Sequence, residues 1–139
     1  MGKSLIIKGA DFASVAVEQV EFTDVIIEPS WVNGKIVRPS GSIDTSENHK
    51  YALIEIPSSA TKIQSRIAVS VAPYDKDLIF MSGDSIVSTY PTSQSPSTEL
   101  GNLFVADIPE GATSVYVNYM SNSRATELGY PVLDTISFV

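Results

Sequence analysis

The sequence predicts an all-β protein, a single antiparallel β-sandwich of the jelly-roll kind with an N-terminal docking segment. Short stretches rich in β-branched residues recur along its 139 residues, separated by Gly, Pro, Asn and Ser. The clearest stretches alternate apolar and polar residues, as strands with one buried and one wet face do. An Ile-Pro phrase also occurs twice, at residues 56–63 and 108–115. Because a repeat protein needs three or more units, two copies indicate equivalent turns of one sandwich.

The first third of the chain alternates strand and turn signals. Residues 5–8 predict a short strand, and residues 15–28 are rich in β-branched residues that favour a longer one. Asn33 and Gly34 lie between apolar neighbours and predict a β-hairpin, because both residues tolerate positive φ. Residues 38–50 are polar and turn-rich, so they predict a loop around one short strand.

The rest of the chain continues the pattern. Residues 51–56 and 63–71 alternate cleanly on either side of the first Ile-Pro turn. Residues 89–101 are rich in Ser, Thr and Pro and predict a surface loop of the kind that often carries function. Residues 121–124 predict a turn, and no segment has a regular helical period. Further strands are predicted at residues 78–81, 85–88, 103–108, 114–120 and 132–139.

Composition limits the partners. The net charge is −7, and no Lys/Arg cluster is present, so a nucleic-acid partner is not expected. The chain has no cysteine, which excludes disulfides, thiolate metal sites and cysteine nucleophiles. No apolar run approaches the length of a membrane span, so membrane insertion is not expected.

Catalytic signals are weak, and no enzyme activity and no cofactor is expected. His49 is the one histidine, and no nucleophile-elbow motif accompanies it. The acidic residues lie mostly in turns rather than as a pair flanking a cleft. Asp75, Asp77 and Asp84 leave two interpretations open: oxygen ligands for Ca²⁺, or caps of β-turn backbone groups.

Several phrases carry a family resemblance. They are Gly41-Ser42-Ile43, Ile54-Glu55-Ile56-Pro57, Tyr74-Asp75-Lys76-Asp77 and Phe80-Met81-Ser82-Gly83, followed by the second Ile-Pro phrase. Together they resemble a β-sandwich module of phage head and tail fibre and appendage proteins of gut-bacterial phages, over about residues 34–120. The resemblance implies a non-enzymatic virion protein that contacts other virion proteins of the capsid or tail. It also implies a homo-oligomer, with a trimer favoured, and leaves head and tail locations open.

The N-terminal phrase at residues 5–12 is similar to the opening of such fibre-like proteins. That similarity implies an attachment segment at residues 1–28, followed by the sandwich domain at residues 29–139. An attachment surface inside a particle should be apolar. The docking residues expected from the apolar side chains of this segment are Leu5, Ile6, Ile7, Phe12, Val15, Val17, Val20 and Phe22.

A carbohydrate-binding module of a secreted or surface protein is the alternative, with an extracellular location in place of the virion. Aromatic rings can stack on sugars, although Tyr and Trp are also common in cores and protein interfaces. In the strand at residues 114–120, Tyr116 and Asn118 share the face expected to be exposed. The possible contacts to a host glycan are therefore Trp31, Tyr90, Tyr116 and Asn118.

Overall fold

The predicted all-β sandwich is confirmed. The structure is a computed structural model that describes residues 24–68, 75–91 and 100–139, and these form two antiparallel sheets and one short helix. The four-stranded sheet has the order β1-β9-β4-β7, and the five-stranded sheet has the order β2-β3-β8-β5-β6. The elements are β1 (Val25–Ile27), β2 (Val32–Val37), β3 (Ile43–Glu55), β4 (Lys62–Arg66), β5 (Leu78–Ser82), β6 (Ser85–Tyr90), β7 (Leu103–Asp107), β8 (Ser114–Met120), α1 (Asn122–Leu128) and β9 (Ile136–Phe138).

The strand order is that of a jelly roll with one added strand. Without β2, the other eight described strands nest in pairs: β1 with β9, β3 with β8, β4 with β7, and β5 with β6. Nested pairing of this kind results when one long antiparallel hairpin is rolled into two facing sheets. The extra strand, β2, extends the five-stranded sheet beyond β3.

The core lies between the two sheets and follows the period-two pattern of the strands. In β4, for example, Ile63 and Ser65 point inward, and Gln64 points outward. Each large apolar side chain buried in this way contributes about 1.5–3 kcal/mol. The fully buried apolar members of the core include Leu78, Val115, Val117, Tyr119, Met120, Ile136 and Phe138.

The two Ile-Pro phrases meet at one end of the sandwich, which we call the clasp pole. The first phrase joins β3 to β4 and the second joins β7 to β8, so both cross between the sheets. The Ile56 N–H donates to the Thr113 carbonyl at 2.9 Å, and the Ile108 N–H donates to the Thr61 carbonyl at 2.9 Å. Ile56 of the first phrase thus bonds Thr113 of the second, and Ile108 of the second bonds Thr61 of the first. Each Thr directly precedes a strand, β4 or β8. This reciprocal bonding supports the interpretation of the two copies as equivalent turns.

The opposite end, which we call the loop pole, holds α1 and the points where the β4–β5 and β6–β7 connections leave the sheets. Both connections are closed by hydrogen bonds at these points. The Ala68 N–H donates to the Asp77 carboxylate at 2.6 Å, at the neck of the β4–β5 connection. The Gly101 N–H donates to the Ile67 carbonyl, and the Ile67 N–H donates to the Asn102 carbonyl, both at 3.0 Å, at the neck of the β6–β7 connection.

The hairpin turn predicted at Asn33 and Gly34 is wrong. Gly34 lies inside β2 with a φ of +77°, where the pairing with β3 shifts register and four residues of β3 (46–49) lie opposite this one glycine. The turn between β2 and β3 comes later. There the Arg38 N–H donates to the Ser42 carbonyl at 2.8 Å.

Beyond the bulge, the tip of the β2–β3 hairpin lies against the outer face of the five-stranded sheet. Val37 packs there with Ile79 and Met81, and these three form a second, smaller apolar cluster. Tyr51 and Tyr116 pack against its side. Part of the outer face is thus buried by the chain itself.

Helix α1 was not expected, since residues 121–124 predicted only a turn. Ser121 is its N-cap, with a side-chain oxygen that accepts from the Arg124 N–H at 3.2 Å. Gly129 ends it in the left-handed conformation. Only Ala125 is buried along its length, so the helix carries almost no apolar period that a sequence pattern could reveal.

Candidate interaction surfaces

The eight docking residues predicted in the N-terminal segment, from Leu5 to Phe22, lie outside the described residues. The segment does, however, include β1, which pairs with β9 as an edge strand of the four-stranded sheet. Val25 is opposite Phe138, so the chain enters this sheet at the clasp pole. A truncation after residue 28 would remove β1, whereas a truncation before residue 24 would keep every strand of both described sheets.

Trp31 is half-buried and lies at the edge of the core near the loop pole. The Lys50 ammonium lies 4.3 Å from the centre of its ring, and the Trp31 indole N–H donates to the Asp134 carbonyl at 3.2 Å. A cation over the ring face is favourable, and it also occupies the face on which a sugar would stack. The structure thus gives Trp31 a packing role at this edge.

Lys50 is a buried anchor that the sequence did not indicate. Its ammonium donates to the Leu133 carbonyl at 2.6 Å and to Asn122 Oδ1 at 2.7 Å, in addition to its contact with Trp31. Burial lowers the pKa of Lys50, and the nearby Asp134 carboxylate opposes that effect. The three contacts hold the irregular segment before β9 and the start of α1 against β3.

Replacing Lys50 by Met should cost about 2–3 kcal/mol in the free energy of unfolding. Met keeps the apolar stem, but it leaves the Leu133 carbonyl without its buried donor and removes the cation over Trp31. Urea denaturation followed by tryptophan fluorescence measures the change. The exposed Lys35 is the matched control, and Lys35→Met should stay within about 0.5 kcal/mol of the parent. Equal small losses in both variants would contradict the anchor role.

Tyr90 also faces inward rather than lining an open site. Its ring stacks on Phe104, with ring centres 4.8 Å apart and an angle of 11° between the planes. Because Tyr90 ends β6 and Phe104 lies in β7, this contact connects the edges of the two sheets. One ring face is thereby used for packing.

Asn118 is buried, and the expectation that it is an exposed glycan contact is wrong. It is 0% exposed, because the tip of the β2–β3 hairpin covers its face of β8. Its side-chain amide accepts from the Val37 N–H at 3.0 Å and donates to the Val37 carbonyl at 2.8 Å. It also donates to the Lys76 carbonyl at 2.8 Å. Asn118 is thus a latch that fixes two backbone segments to the sheet.

Tyr116 lies on the outer face of the five-stranded sheet, beside a groove of about 310 Å³ under the hairpin tip. Leu53 and Ile86 supply apolar walls, and Ser40 and Asp84 lie at its polar side. Trp31 and Tyr90, by contrast, face the interior. The four residues predicted to contact a glycan are therefore not brought together in one site.

Two of the three acidic residues considered for calcium, Asp75 and Asp77, have other partners. The Arg38 guanidinium donates to the Asp75 carboxylate at 2.6 Å, and it also pairs with Asp44. Burial raises the pKa of Asp77 to about 7, although the Ala68 N–H and the nearby Lys76 favour its charged form. No group of three or more His, Asp or Glu residues that could hold a metal occurs in the described part of the chain.

His49 is buried near the loop-pole end of β3. Its Nδ1 and the Ser46 hydroxyl lie 2.6 Å apart in a hydrogen bond. This arrangement connects two nearby residues of one strand, at the place where β3 departs from its register with β2. The hydrogen bond therefore stabilises the bulge locally.

An open cleft of about 670 Å³ lies at the clasp pole, between the two Ile-Pro turns. Pro57 and Pro109 form its opposing walls, and Glu55 and Glu110 lie in its lining. The glutamates are exposed at the surface. The cleft follows from the two crossovers lying side by side.

Large apolar side chains are exposed on the outer faces of both sheets. On the four-stranded sheet, Ile26 is 66% exposed, Leu103 53% and Val105 50%. On the five-stranded sheet, Leu53 and Ile86 are exposed beside the groove. Exposed apolar groups that share one face are typical of surfaces that contact other proteins. These faces are the strongest candidate interaction surfaces of the described residues.

Comparison with known proteins gives the chain no relative: no family model, curated protein or solved structure matches it. Among the residues that the structure describes, no helix is long and apolar enough to cross a membrane. The functional argument therefore depends on the surfaces above.

Proposed function

We propose that this chain is a non-enzymatic structural protein of a phage virion, a fibre or decoration component of the head or tail. It acts through contacts with other virion proteins and with copies of itself, and it resides in the particle. The observation that carries the proposal is the exposure of the neighbouring Leu103 and Val105 on one sheet face, with Ile26 exposed at the other edge of the same face.

The entry point of the chain supports this assignment. The described part of the chain begins at the clasp pole, at the edge of the four-stranded sheet. If the preceding residues dock on the particle, the clasp pole faces the virion, and the loop pole projects outward to contact a host surface. Jelly rolls occur in viral capsid proteins and also in lectins, so the fold is compatible with this role.

The proposal predicts that the protein is found in purified phage particles and that its apolar N-terminal residues place it there. Immunogold labelling and mass spectrometry of gradient-purified particles should detect the parent chain. A variant with Val15→Asp, Val17→Asp and Val20→Asp should remain in the soluble lysate, because charged side chains oppose burial in an apolar interface. Matched changes that add charge without removing apolar groups, Ser4→Asp and Ser14→Asp, should leave incorporation intact. Absence of the parent chain from particles would refute the proposal.

The alternative is a carbohydrate-binding module. One observation favours it: Tyr116, half-buried, lies beside the groove with polar groups from Ser40 and Asp84. Saccharides are commonly held by an aromatic ring together with polar side chains. A glycan array with the parent chain separates the two functions, because specific sugar binding by a protein absent from particles would favour the alternative.

A further inference from the structure

The four sheet edges in the described structure differ in how they are protected against pairing with another strand. β1 has only three residues. The register of β2 with β3 is interrupted at Gly34, opposite four residues of β3 (46–49), and β2 carries the exposed Lys35. β6 carries a bulge at Val87, where its register with β5 shifts. Short length, bulges, proline and lysine are the usual means of blocking edge-to-edge association.

β7 has none of these protections. It pairs with β4 over five consecutive residues without a register shift. Its sequence, Leu-Phe-Val-Ala-Asp, contains no proline and no lysine, and its one charged residue, Asp107, stands at the end. Leu103 and Val105 point outward on the same face and are half exposed. A regular, apolar edge of this kind is a template for another strand.

The backbone groups of β7 are oriented for such pairing. The Ile67 N–H donates to the Asn102 carbonyl and the Ile108 N–H donates to the Thr61 carbonyl, so the even-numbered residues of this stretch face β4. Because antiparallel ladders alternate, the N–H and C=O groups of Leu103, Val105 and Asp107 point away from β4. No described strand pairs with that side of β7.

We propose that β7 pairs antiparallel with β7 of a second copy of this chain, across a two-fold axis through Val105. The two four-stranded sheets then join into one sheet of eight strands. In this register Val105 lies opposite Val105 of the second copy, and Leu103 lies opposite Asp107. When two identical edges pair antiparallel, the N–H groups of one edge meet the C=O groups of the other. The same surface of the chain therefore forms both sides of the interface.

The charges on the outer face fit this register. Asp107 is paired with Lys62 in its own copy, and Arg66 is the neighbour of Leu103 on β4. Across the axis, Asp107 of one copy lies two strands, or roughly 10 Å, from Arg66 of the other. An Arg side chain can extend over much of that distance, and no two like charges lie opposite each other. Arg66 also donates to the Gly101 carbonyl, so the joined face places opposite charges near each other without new ion pairs.

The inference rests on the self-association in the proposed function, but not on attachment to a particle. It specifies a dimer rather than the trimer implied by the family resemblance, because isologous pairing uses up the edge in both copies. Light scattering of the parent chain should therefore give twice the 15.0 kDa mass of one chain at about 100 µM.

The first test removes the backbone N–H of Val105, which would donate a hydrogen bond to the second copy. Val105→Pro lacks the N–H that points away from β4, so it blocks the second strand while keeping the β4–β7 ladder. It should weaken dimerisation by at least about tenfold. Val105→Thr keeps the N–H and the branched shape, and it should remain dimeric. Circular dichroism and thermal melting check that both variants are folded.

A single cysteine at this position gives a second readout that does not depend on weakening the fold. The parent chain has no cysteine, so any disulfide in Val105→Cys joins two copies. Directly opposed residues of a hydrogen-bonded pair have Cα atoms about 5.5 Å apart, within the range that a disulfide spans. Oxidised Val105→Cys should run as a covalent dimer. Ile26→Cys, exposed on the same face at the other edge, should form no covalent dimer.

The outcomes separate the inference from the proposed function. A dimer that Val105→Pro abolishes and Val105→Cys captures supports the edge pairing. An oligomer that is unaffected by Val105→Pro and not captured by Val105→Cys overturns the edge pairing and leaves self-association standing. A trimeric mass also overturns it. A parent chain that stays monomeric refutes both the edge pairing and the self-association, whatever the particle experiments show.

Discussion

Replacing Asp77 by Asn should remove most of the fall in stability that the parent protein shows as pH rises from about 4 to 7. Burial raises the pKa of Asp77 to about 7 from an ordinary value of 3.8. Between these values the folded protein holds a proton that the unfolded chain releases, so the free energy of unfolding falls as pH rises. The contribution is complete below about pH 4 and lost above about pH 7. The raised pKa of Asp77 therefore lowers the free energy of unfolding by roughly 4 kcal/mol at most across this range, because a pKa shift of one unit corresponds to about 1.4 kcal/mol.

Urea denaturation at pH 4.5, 6 and 8 measures this effect. The side-chain amide oxygen introduced by Asp77→Asn can still accept from the Ala68 N–H, so the variant keeps the neck of the β4–β5 connection. From pH 4.5 to pH 8, the free energy of unfolding of Asp77→Asn should rise relative to that of the parent by about 2–4 kcal/mol. Asp84→Asn, at an exposed turn, should follow the parent curve. Parallel curves for parent and Asp77→Asn would show that Asp77 does not titrate in this range.

Replacing Asn118 by Ala should destabilise the protein by about 3–4 kcal/mol. Three buried or half-buried backbone groups, two on Val37 and one on Lys76, lose their partner together. Each such group costs about 1–3 kcal/mol when it is left unpaired, less whatever water recovers. The hairpin tip should also loosen from the sheet, because Asn118 connects Val37 directly to β8.

The free energy of unfolding of Asn118→Ala, again from urea titration, tests the latch role. Asn102 is the control, because it is exposed and its hydrogen bond to Ile67 is made by the backbone carbonyl. Asn102→Ala should stay within about 0.5 kcal/mol of the parent. An Asn118→Ala variant as stable as Asn102→Ala would contradict the latch role.

The sandwich was predictable because its strands carry their own signal. Residues 51–55 of β3 and the strands β4 and β8 follow a period of two, and the two Ile-Pro phrases mark where the chain crosses between the sheets. Both features are set by residues that are close together in the sequence, so the sequence pattern reveals them. Residues 43–50, by contrast, predicted a loop around one short strand, yet they form the first part of β3. The rolled pairing of strands follows from the general preference for compact antiparallel connections.

The roles of Lys50 and Asn118 could not be predicted in the same way. The Lys50 ammonium bonds a carbonyl 83 residues away, and Asn118 bonds a residue 81 positions away. A polar residue in a strand is expected on the wet face, and only the folded-over hairpin tip makes Asn118 internal. Gly34 was misleading for a related reason, since a glycine with positive φ suits a bulge as well as a turn.

Hydrogen bonds close the bases of the β4–β5 and β6–β7 connections at the loop pole, and this affects where the chain can change in length. Ala68 bonds Asp77, and Ile67 bonds Gly101 and Asn102, before either connection leaves the sheets. Insertions, deletions or foreign peptides placed beyond these bonds would leave the strand register unchanged. At the clasp pole the two Ile-Pro turns are hydrogen-bonded to each other, so a longer turn there should disturb these bonds. The fold should therefore accept changes of length at the loop pole more readily than at the clasp pole.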